Sequence, residues 1–258
     1  MKNKKRRDII ERGSSTSTVE KVDKSPIIHQ KSKIKNTLKI FDRPDLTVNQ
    51  KNFLNLALGK DVRMLFVSGP AGSTKSYLAV YSALKLLNDR KISDLIYIRS
   101  AVESADSHLG FLPGLISDKM HPYIQPLIDK LEELIPADQI VQLTKEERIV
   151  GMPINFLRGL NFNAKAIIGD EFQNCTYKEI LTFITRAGEF SKVFILGDPD
   201  QSDIGSKSGF VKMMEQFDDV ESRSNGIYTF KFDETDILRS GLVRYIITKL
   251  NKLNKKQL

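Results

Sequence analysis

Residues 65 to 76 read Leu65-Phe66-Val67-Ser68-Gly69-Pro70-Ala71-Gly72-Ser73-Thr74-Lys75-Ser76, and a helix-like run from Tyr77 to Leu87 follows. Small residues between a strand and a helix are typical of a loop whose backbone N–H groups bind phosphate at the helix N-terminus. In such a loop the lysine reaches the β- and γ-phosphates and the serine hydroxyl binds Mg²⁺. The pattern predicts that Gly69 to Ser76 bind a nucleoside triphosphate, with Lys75 acting in the chemistry.

One position departs from the pattern G-x-x-x-x-G-K-[ST]. Thr74 stands where the second glycine is expected, so a Cβ lies where the backbone approaches phosphate closely. An ordinary Gly/Ser turn is the competing interpretation. Phosphate binding is favoured because Gly72 can supply the unusual backbone angle. Either the loop shifts and hydrolysis is slow, or the Thr74 hydroxyl donates to phosphate; the first is favoured because a β-branched side chain is stiff.

Length and composition narrow the class of protein. With 258 residues the chain can bury a sizeable core as one large domain or two small ones. No apolar run approaches membrane-spanning length and no apolar signal-peptide core stands at the N-terminus, so we expect a cytoplasmic protein. The Lys-rich composition, with Asn and Ile, is associated with a bacterial cell or a phage-infected host. The single Cys175 is expected to be a small buried residue in a reducing compartment.

The positive charge is concentrated at the N-terminus. Residues 1–36 carry eleven Lys or Arg against four Asp or Glu, which gives seven of the eight net positive charges. With few apolar residues, residues 1–40 are predicted to form a disordered arm ahead of a folded domain at 41–258. A basic arm contacts nucleic acid through phosphates or serves as a solubilising tail, and the sequence favours neither.

Apolar runs alternate with helix-period segments along the folded part, which predicts an α/β fold with a mostly parallel sheet covered by helices on both faces. The strand candidates are Met64 to Val67, Leu95 to Ile98, Ile154 to Leu157, Ala166 to Ile168, Val193 to Leu196 and Ile227 to Phe232.

Two polar clusters follow such strands. Asp170-Glu171 suits an NTPase, because the first acid can hold Mg²⁺ and the second can polarise the attacking water. In Gly197-Asp198-Pro199-Asp200-Gln201, the Gln201 amide can contact the γ-phosphate and the water. Acidic surface turns are the alternative for both. Since ligands bind beyond the carboxyl ends of parallel strands, both clusters are expected beside the Gly69 loop.

The chain resembles the PhoH-like proteins, P-loop ATPases related to superfamily 1 helicases. Ordered blocks carry the resemblance from about Leu46 to Tyr245: besides the loop and the two acidic clusters, they are Asn49-Gln50, Ile98-Arg99-Ser100-Ala101-Val102-Glu103, Leu109-Gly110-Phe111-Leu112-Pro113-Gly114, Pro122-Tyr123-Ile124-Gln125-Pro126, Leu157-Arg158-Gly159 and Asp236-Ile237-Leu238-Arg239-Ser240.

The resemblance implies a three-layer RecA-like core that binds and hydrolyses ATP with Mg²⁺. By it, Gln50 contacts adenine, Ser76 and Asp170 hold the metal, Glu171 activates water and Gln201 contacts the γ-phosphate. Arg158 and Arg239 are candidates for stabilising developing charge, in cis or from a neighbouring subunit; both could equally be structural ion-pair partners.

The preferred function is a Mg²⁺-dependent ATPase that acts on RNA or DNA. One RecA-like core lacks the second motor domain of a monomeric helicase, so helicase-like movement would need a homo-oligomer, such as a ring. Only about sixty residues precede the loop, so the nuclease domain of some relatives is not expected. The alternatives are a nucleotide-gated nucleic-acid-binding protein with little turnover and an assembly scaffold.

Overall fold

The architecture is a single parallel sheet between two layers of helices. The computed structural model describes residues 37–100, 116–238 and 245. All five strand pairings are parallel, and the order across the sheet is β3-β2-β4-β5-β1-β6. The strands are β1 Met64–Ser68, β2 Asp94–Arg99, β3 Ile149–Pro153, β4 Lys165–Asp170, β5 Lys192–Gly197 and β6 Ile227–Lys231. The predicted α/β class is confirmed, and the sheet is parallel throughout.

The helices cover both faces because successive side chains of each strand point to opposite sides. Leu65 and Val67 of β1 face the helices α1 to α4, whereas Phe66 faces α5 and α6. Each face therefore has its own apolar core. The α-helices are α1 Val48–Ala57, α2 Lys75–Asn88, α3 Ile116–Leu134, α4 Ala137–Lys145, α5 Tyr177–Ile184, α6 Phe210–Gln216 and α7 Val220–Ser224.

One predicted strand is wrong. Ile154–Leu157 forms a 3₁₀ helix, and the strand in this region is β3, at the edge of the sheet and immediately before it. The glycine within β3, Gly151, allows helix α3 to cover this strand. A Cβ at Gly151 would lie 2.7 Å from the Cβ of Ile124, so helix α3 packs directly against the backbone of this strand.

The N-terminal arm predicted for residues 1–40 lies almost entirely outside the described residues. The described part begins at Thr37, and Leu38 is already in the core, where its N–H donates to the Asn88 side chain at 2.8 Å. Packing is thus already seen at Leu38, three residues before the predicted start of the folded domain at residue 41. Among the described helices, none is long and apolar enough to cross a membrane.

Cys175 is buried in the core formed by α5 and α6, as the sequence predicted. Burial raises the pKa of its thiol above the usual range, so the reactive thiolate is disfavoured. This cysteine is therefore a packing residue.

Candidate nucleotide site

The phosphate-loop candidate occupies the expected place between β1 and α2. Gly72 has φ 83°, so it does supply a left-handed backbone, and Thr74 takes a second left-handed conformation with φ 68°. Helix α2 begins at Lys75, directly after Thr74. The Ser73 hydroxyl donates to the Pro70 carbonyl at 2.8 Å and closes the turn. The loop thus presents a helix N-terminus to the carboxyl edge of the sheet.

Gly69 is required by packing at the end of β1. A Cβ at this position would lie 2.6 Å from the Cβ of Phe232, which follows β6. Since real Cβ atoms do not approach so closely, any other residue would push the loop away from the strand beside it. The glycine therefore fixes where the loop leaves the sheet.

Lys75 folds back over the loop. Its ammonium donates to the Gly69 carbonyl at 2.5 Å and to the Pro70 carbonyl at 3.0 Å. Burial lowers the pKa of Lys75, and the nearby carboxylates of Asp198, Asp170 and Glu171 oppose that shift. The result is a mostly buried cation held by neutral carbonyl oxygens, which a phosphate group could replace as a partner.

Ser76 meets Asp170 across the site. The Ser76 hydroxyl donates to Asp170 Oδ1 at 2.8 Å, although the two residues are 94 positions apart in sequence. The buried hydroxyl of Tyr97, on β2, donates to Asp170 Oδ2. Burial, reinforced by the Asp170 carboxylate, raises the pKa of Tyr97 far above its ordinary value. Tyr97 therefore stays protonated and orients the carboxylate towards Ser76.

Glu171 lies at the end of β4 with a left-handed backbone, φ 58°. Its carboxylate accepts a hydrogen bond from Gln173 Nε2 at 2.6 Å. The other end of the same buried amide, Gln173 Oε1, accepts from the backbone N–H of Asp198 at 3.0 Å. One side chain therefore links the acid after β4 to the loop after β5.

The loop that carries Gln201 is tied to the same turn by further bonds. The Ser202 hydroxyl donates to the Gln173 carbonyl at 3.0 Å, and Asn174 exchanges two hydrogen bonds of 2.8 Å with Asp203. Gln201 itself is exposed. Its side chain thus extends from a loop whose position is fixed relative to Glu171.

The three predicted clusters converge on one cavity, because β4, β5 and β1 are neighbours in the sheet. The cavity has a volume of about 520 Å³. Four basic and four acidic residues line it, which suits a ligand that brings both negative phosphates and a cation. The charged lining residues are Arg43, Lys75, Arg99, Lys130, Glu133, Asp170, Glu171 and Asp198; Ala71, Gly72, Thr74, Ser76 and Gln201 also contribute.

Asp198 is the carboxylate most affected by this crowding. It is buried, and burial raises its pKa while the Lys75 ammonium acts in the opposite direction. Its Oδ1 accepts from the Asp200 N–H at 3.2 Å. Asp198 therefore supplies part of the negative field around Lys75.

Gln50 does not line this cavity. It is fully buried, and its amide is engaged within the protein: Oε1 accepts from the Thr47 N–H at 3.0 Å, and Nε2 donates to Thr74 Oγ1 at 2.9 Å and to the Asp236 carbonyl at 2.8 Å. The adenine contact that the resemblance implies would require these bonds to be exchanged. In this arrangement Gln50 supports the loop through its hydrogen bond to Thr74.

Arg158, one of the two candidate arginines, does not line this cavity. Arg158 is exposed and lies before β4, at the opposite edge of the sheet. Its neighbour Gly159 lines a separate open cleft of about 690 Å³ with Arg63 and Arg186. Arg239 lies outside the described residues, although Leu238 lines the nucleotide cavity. A charge-stabilising role for Arg158 or Arg239, in cis or from a neighbouring subunit, stays a prediction.

Tyr97 and Gln173 are the site residues that sequence reasoning missed. Tyr97 lies within an apolar strand, where the sequence indicates only a strand position, and the sequence-based predictions give Gln173 no role. The position of Gln173, two residues after Glu171 on a tight turn, is the one signal that could have marked it.

Comparison with known proteins agrees with this geometry. A family model described as "PhoH-like protein" matches residues 44–251. The "PhoH-like protein" of Bacillus subtilis (strain 168) is 36% identical over 210 residues, which cover 81% of this chain and 64% of that protein. The "PhoH-like protein" of Mycobacterium tuberculosis (strain H37Rv) is 34% identical over 203 residues, or 78% of this chain and 56% of that protein.

A third relative is "Protein PhoH" of Escherichia coli (strain K12), 30% identical over 203 residues. The match covers 77% of this chain and 56% of the E. coli protein. The chain therefore corresponds to a little over half of the length of these bacterial relatives.

Proposed function

Because this chain belongs to the PhoH-like family of P-loop ATPases, we propose that it binds ATP with Mg²⁺ and hydrolyses it at the carboxyl edge of its sheet. The observation that carries the proposal is the 2.8 Å hydrogen bond between Ser76 and Asp170. It joins the phosphate loop to the strand-end carboxylate inside the cavity that also holds Lys75. An ordinary Gly/Ser turn would not need this partner.

The residues present fit a magnesium ion. Mg²⁺ in such sites takes one or two protein oxygens and completes its shell with phosphate oxygens and water. Ser76 and Asp170 supply that donor set, and no group of three or more His, Cys, Asp or Glu side chains within the described ranges could hold a metal without the nucleotide. Ser76 and Asp170 would hold the metal, whose positive charge would neutralise charge that develops on the phosphates.

The other side chains of the site would have separate roles in ATP hydrolysis. Lys75 would exchange its carbonyl partners for β- and γ-phosphate oxygens, so its charge is used only when nucleotide is bound. Glu171 would accept a proton from the attacking water. Gln201 would contact the γ-phosphate and orient that water, through the loop that Gln173 ties to Glu171.

Nucleic acid is the proposed partner of this activity. The support is the basic segment at residues 1–36, which holds seven of the eight net positive charges and lies outside the described residues. Contacts of this kind are made to phosphates without reading sequence. Movement along RNA or DNA would use neighbouring subunits, since the described residues form one sheet and one nucleotide cavity of this kind.

A second function is favoured by Thr74. Its left-handed backbone strains a β-branched residue beside the phosphate site. If that strain prevents the loop from tightening around the γ-phosphate, the chain would bind nucleotide as a switch for nucleic-acid binding or assembly, with little turnover.

Phosphate release separates the two functions. We expect the full chain to release phosphate from ATP in a Mg²⁺-dependent reaction. Single-stranded RNA or DNA should change the rate of this reaction, and rising salt should return the rate to its basal value. ATP binding without phosphate release, under any of these conditions, would favour the switch. Failure to bind ATP at all would contradict both.

A further inference from the structure

Gln50 lies at a junction of three parts of the fold. Its Nε2 donates to Thr74 Oγ1 at 2.9 Å and to the Asp236 carbonyl at 2.8 Å, and a weaker contact of 3.5 Å reaches the Ser73 carbonyl. One buried amide group therefore connects helix α1, the phosphate loop and the segment after β6. No part of it faces the nucleotide cavity.

Thr74 is the loop residue that needs such a support. A β-branched residue in the left-handed region is a genuine outlier, which persists only when its surroundings hold it there. The Thr74 hydroxyl donates to the Ser73 carbonyl at 2.5 Å and accepts from Gln50. Both contacts engage the hydroxyl with protein groups and fix the backbone angle at the start of α2.

Gln50 is itself held firmly. The Asp236 carboxylate is fully buried and accepts from the Thr47 hydroxyl at 2.5 Å and from Asn49 Nδ2 at 2.7 Å. Thr47 caps α1, and Gln50 completes the capping box. The first turn of α1 is thus fastened to the segment after β6, and Leu238 of that segment donates its N–H to the Gly72 carbonyl at 3.2 Å.

We propose that Gln50 is a positioning residue of the phosphate loop: it holds Thr74 in the left-handed conformation and does not read the base of the nucleotide. The inference rests on the proposed binding of a triphosphate at this loop. It explains how the loop accommodates a residue other than glycine at this position. It also means that Gln50 and Thr74 act as a pair.

The test is a double-mutant cycle measured with three ligands: ATP, GTP and inorganic tripolyphosphate, each with Mg²⁺. Gln50→Leu keeps the volume and removes the donor, so affinity should fall by about tenfold, the equivalent of one neutral hydrogen bond. The loss should be similar for all three ligands, because the phosphates are what the loop binds. Asn52→Ala, on the exposed face of α1, is the matched control and should leave all three affinities unchanged.

The second side of the cycle uses Thr74→Gly. Glycine adopts the left-handed conformation without steric cost, so this variant should bind ATP as tightly as the natural chain or up to a few-fold more tightly. In the Thr74→Gly background, Gln50→Leu should cost no more than about twofold. A loss confined to ATP, or an equal loss in both backgrounds, would overturn the proposal. The first result would make Gln50 a base-contacting residue, and the second would make it a general stabiliser of the fold.

Hydrogen exchange of the free protein tests the same link without nucleotide. Gln50→Leu should speed amide exchange at residues 72–76, whereas Asn52→Ala should not. Unchanged exchange would count against the proposal. Gln50→Glu, which keeps the capping-box acceptor but replaces the amide donor with an ionisable carboxyl group, provides a second variant if Gln50→Leu does not fold. If the natural chain binds none of the three ligands, the proposed function fails while the exchange result still decides the role of Gln50.

Discussion

Asp170 and Glu171 are adjacent in sequence but differ in their surroundings. Asp170 is buried and accepts hydrogen bonds from Ser76 at one oxygen and from Tyr97 at the other, so the orientation of its carboxylate is fixed. Glu171 is half-buried and is contacted by Gln173 alone among the side-chain donors described. The two carboxylates are therefore expected to have separable roles.

Substitution at each position should separate binding from chemistry. Glu171→Gln keeps the size and removes the base, so phosphate release should fall by on the order of a hundredfold or more while ATP affinity persists. Asp170→Asn should instead weaken binding in the presence of Mg²⁺ and leave Mg²⁺-free binding almost unchanged. Titration of ATP with and without Mg²⁺, together with single-turnover rates, distinguishes the two. Identical behaviour of the two variants would show that this division of labour is wrong.

Lys192 is a buried cation far from the nucleotide. It begins β5, its ammonium donates to the Gly59 carbonyl at 2.8 Å, and it has no ion pair with any described residue. Burial, with Lys91 nearby, lowers its pKa to about 8 from the ordinary 10.5. The folded protein therefore holds this charge at neutral pH at a cost in stability.

Lys192→Met should raise the free energy of unfolding at pH 7 by about 1 to 3 kcal/mol. Between pH 8 and 10.5 the unfolded chain retains the lysine proton and the folded chain does not, so the natural protein gains stability relative to the variant as pH rises. Urea unfolding of both proteins at pH 7 and pH 9.5 measures this difference. A gap that does not narrow with pH would contradict the assignment.

Single residues show where sequence reasoning reached its limit. The sequence marked Lys75, Ser76, Asp170 and Gln201, because each has a side-chain type suited to its place after a strand. It could not mark Tyr97, whose hydroxyl contacts Asp170 only because β2 lies beside β4. Pairing of strands distant in sequence is decided by the whole fold.

At the scale of secondary-structure elements, the 3₁₀ turn Phe172–Asn174 and the loop at residues 198–203 behave as one unit. Hydrogen bonds from Gln173 and Asn174 join them, and the two carry the proposed base and the proposed γ-phosphate contact. A shift of the loop at residues 198–203 would therefore also move Glu171.

Gln173→Ala should uncouple the two loops. We expect kcat for ATP to fall by about tenfold, because two buried hydrogen bonds that place the base are lost, while ATP affinity changes by less than about twofold. Gln216→Ala, an exposed glutamine on α6, is the control. Thermal unfolding verifies that the variant is folded. Equal losses in affinity and kcat would indicate that Gln173 serves the fold and not the coupling.

The strands also show which sequence patterns predict secondary structure correctly. Five strands were placed correctly because buried parallel strands are short apolar runs bounded by turn residues. The sixth was misplaced because Ile154-Asn155-Phe156-Leu157 is as apolar as a strand, whereas the true strand contains Gly151 and ends in Pro153. Sequence periodicity does not distinguish the strand from the 3₁₀ helix that follows it. The packing of α3 against the glycine backbone decides which segment joins the sheet.

For the whole molecule, the charge distribution separates the nucleotide site from the proposed nucleic-acid contact. The cavity is lined by four basic and four acidic residues, whereas residues 1–36 hold seven net positive charges. Binding of a polyanion should therefore depend on the arm, and binding of ATP should not.

Deletion of residues 1–36 should weaken binding to single-stranded RNA and DNA and reduce the slope of log affinity against log salt, because fewer counterions are released. Basal ATP turnover should be unchanged, which is the internal control. Fluorescence anisotropy across a salt series provides both numbers. An unaltered slope would assign the arm to solubility alone.

The central claim is that the loop at Gly69 to Ser76 binds the phosphates of ATP through Lys75. Calorimetric titration of Mg²⁺-ATP into the natural chain and into Lys75→Ala tests it most directly, with Lys207→Ala, an exposed lysine, as the matched control. We expect saturable binding by the natural chain and by Lys207→Ala, and no measurable binding by a folded Lys75→Ala protein. Unchanged affinity in folded Lys75→Ala would contradict it.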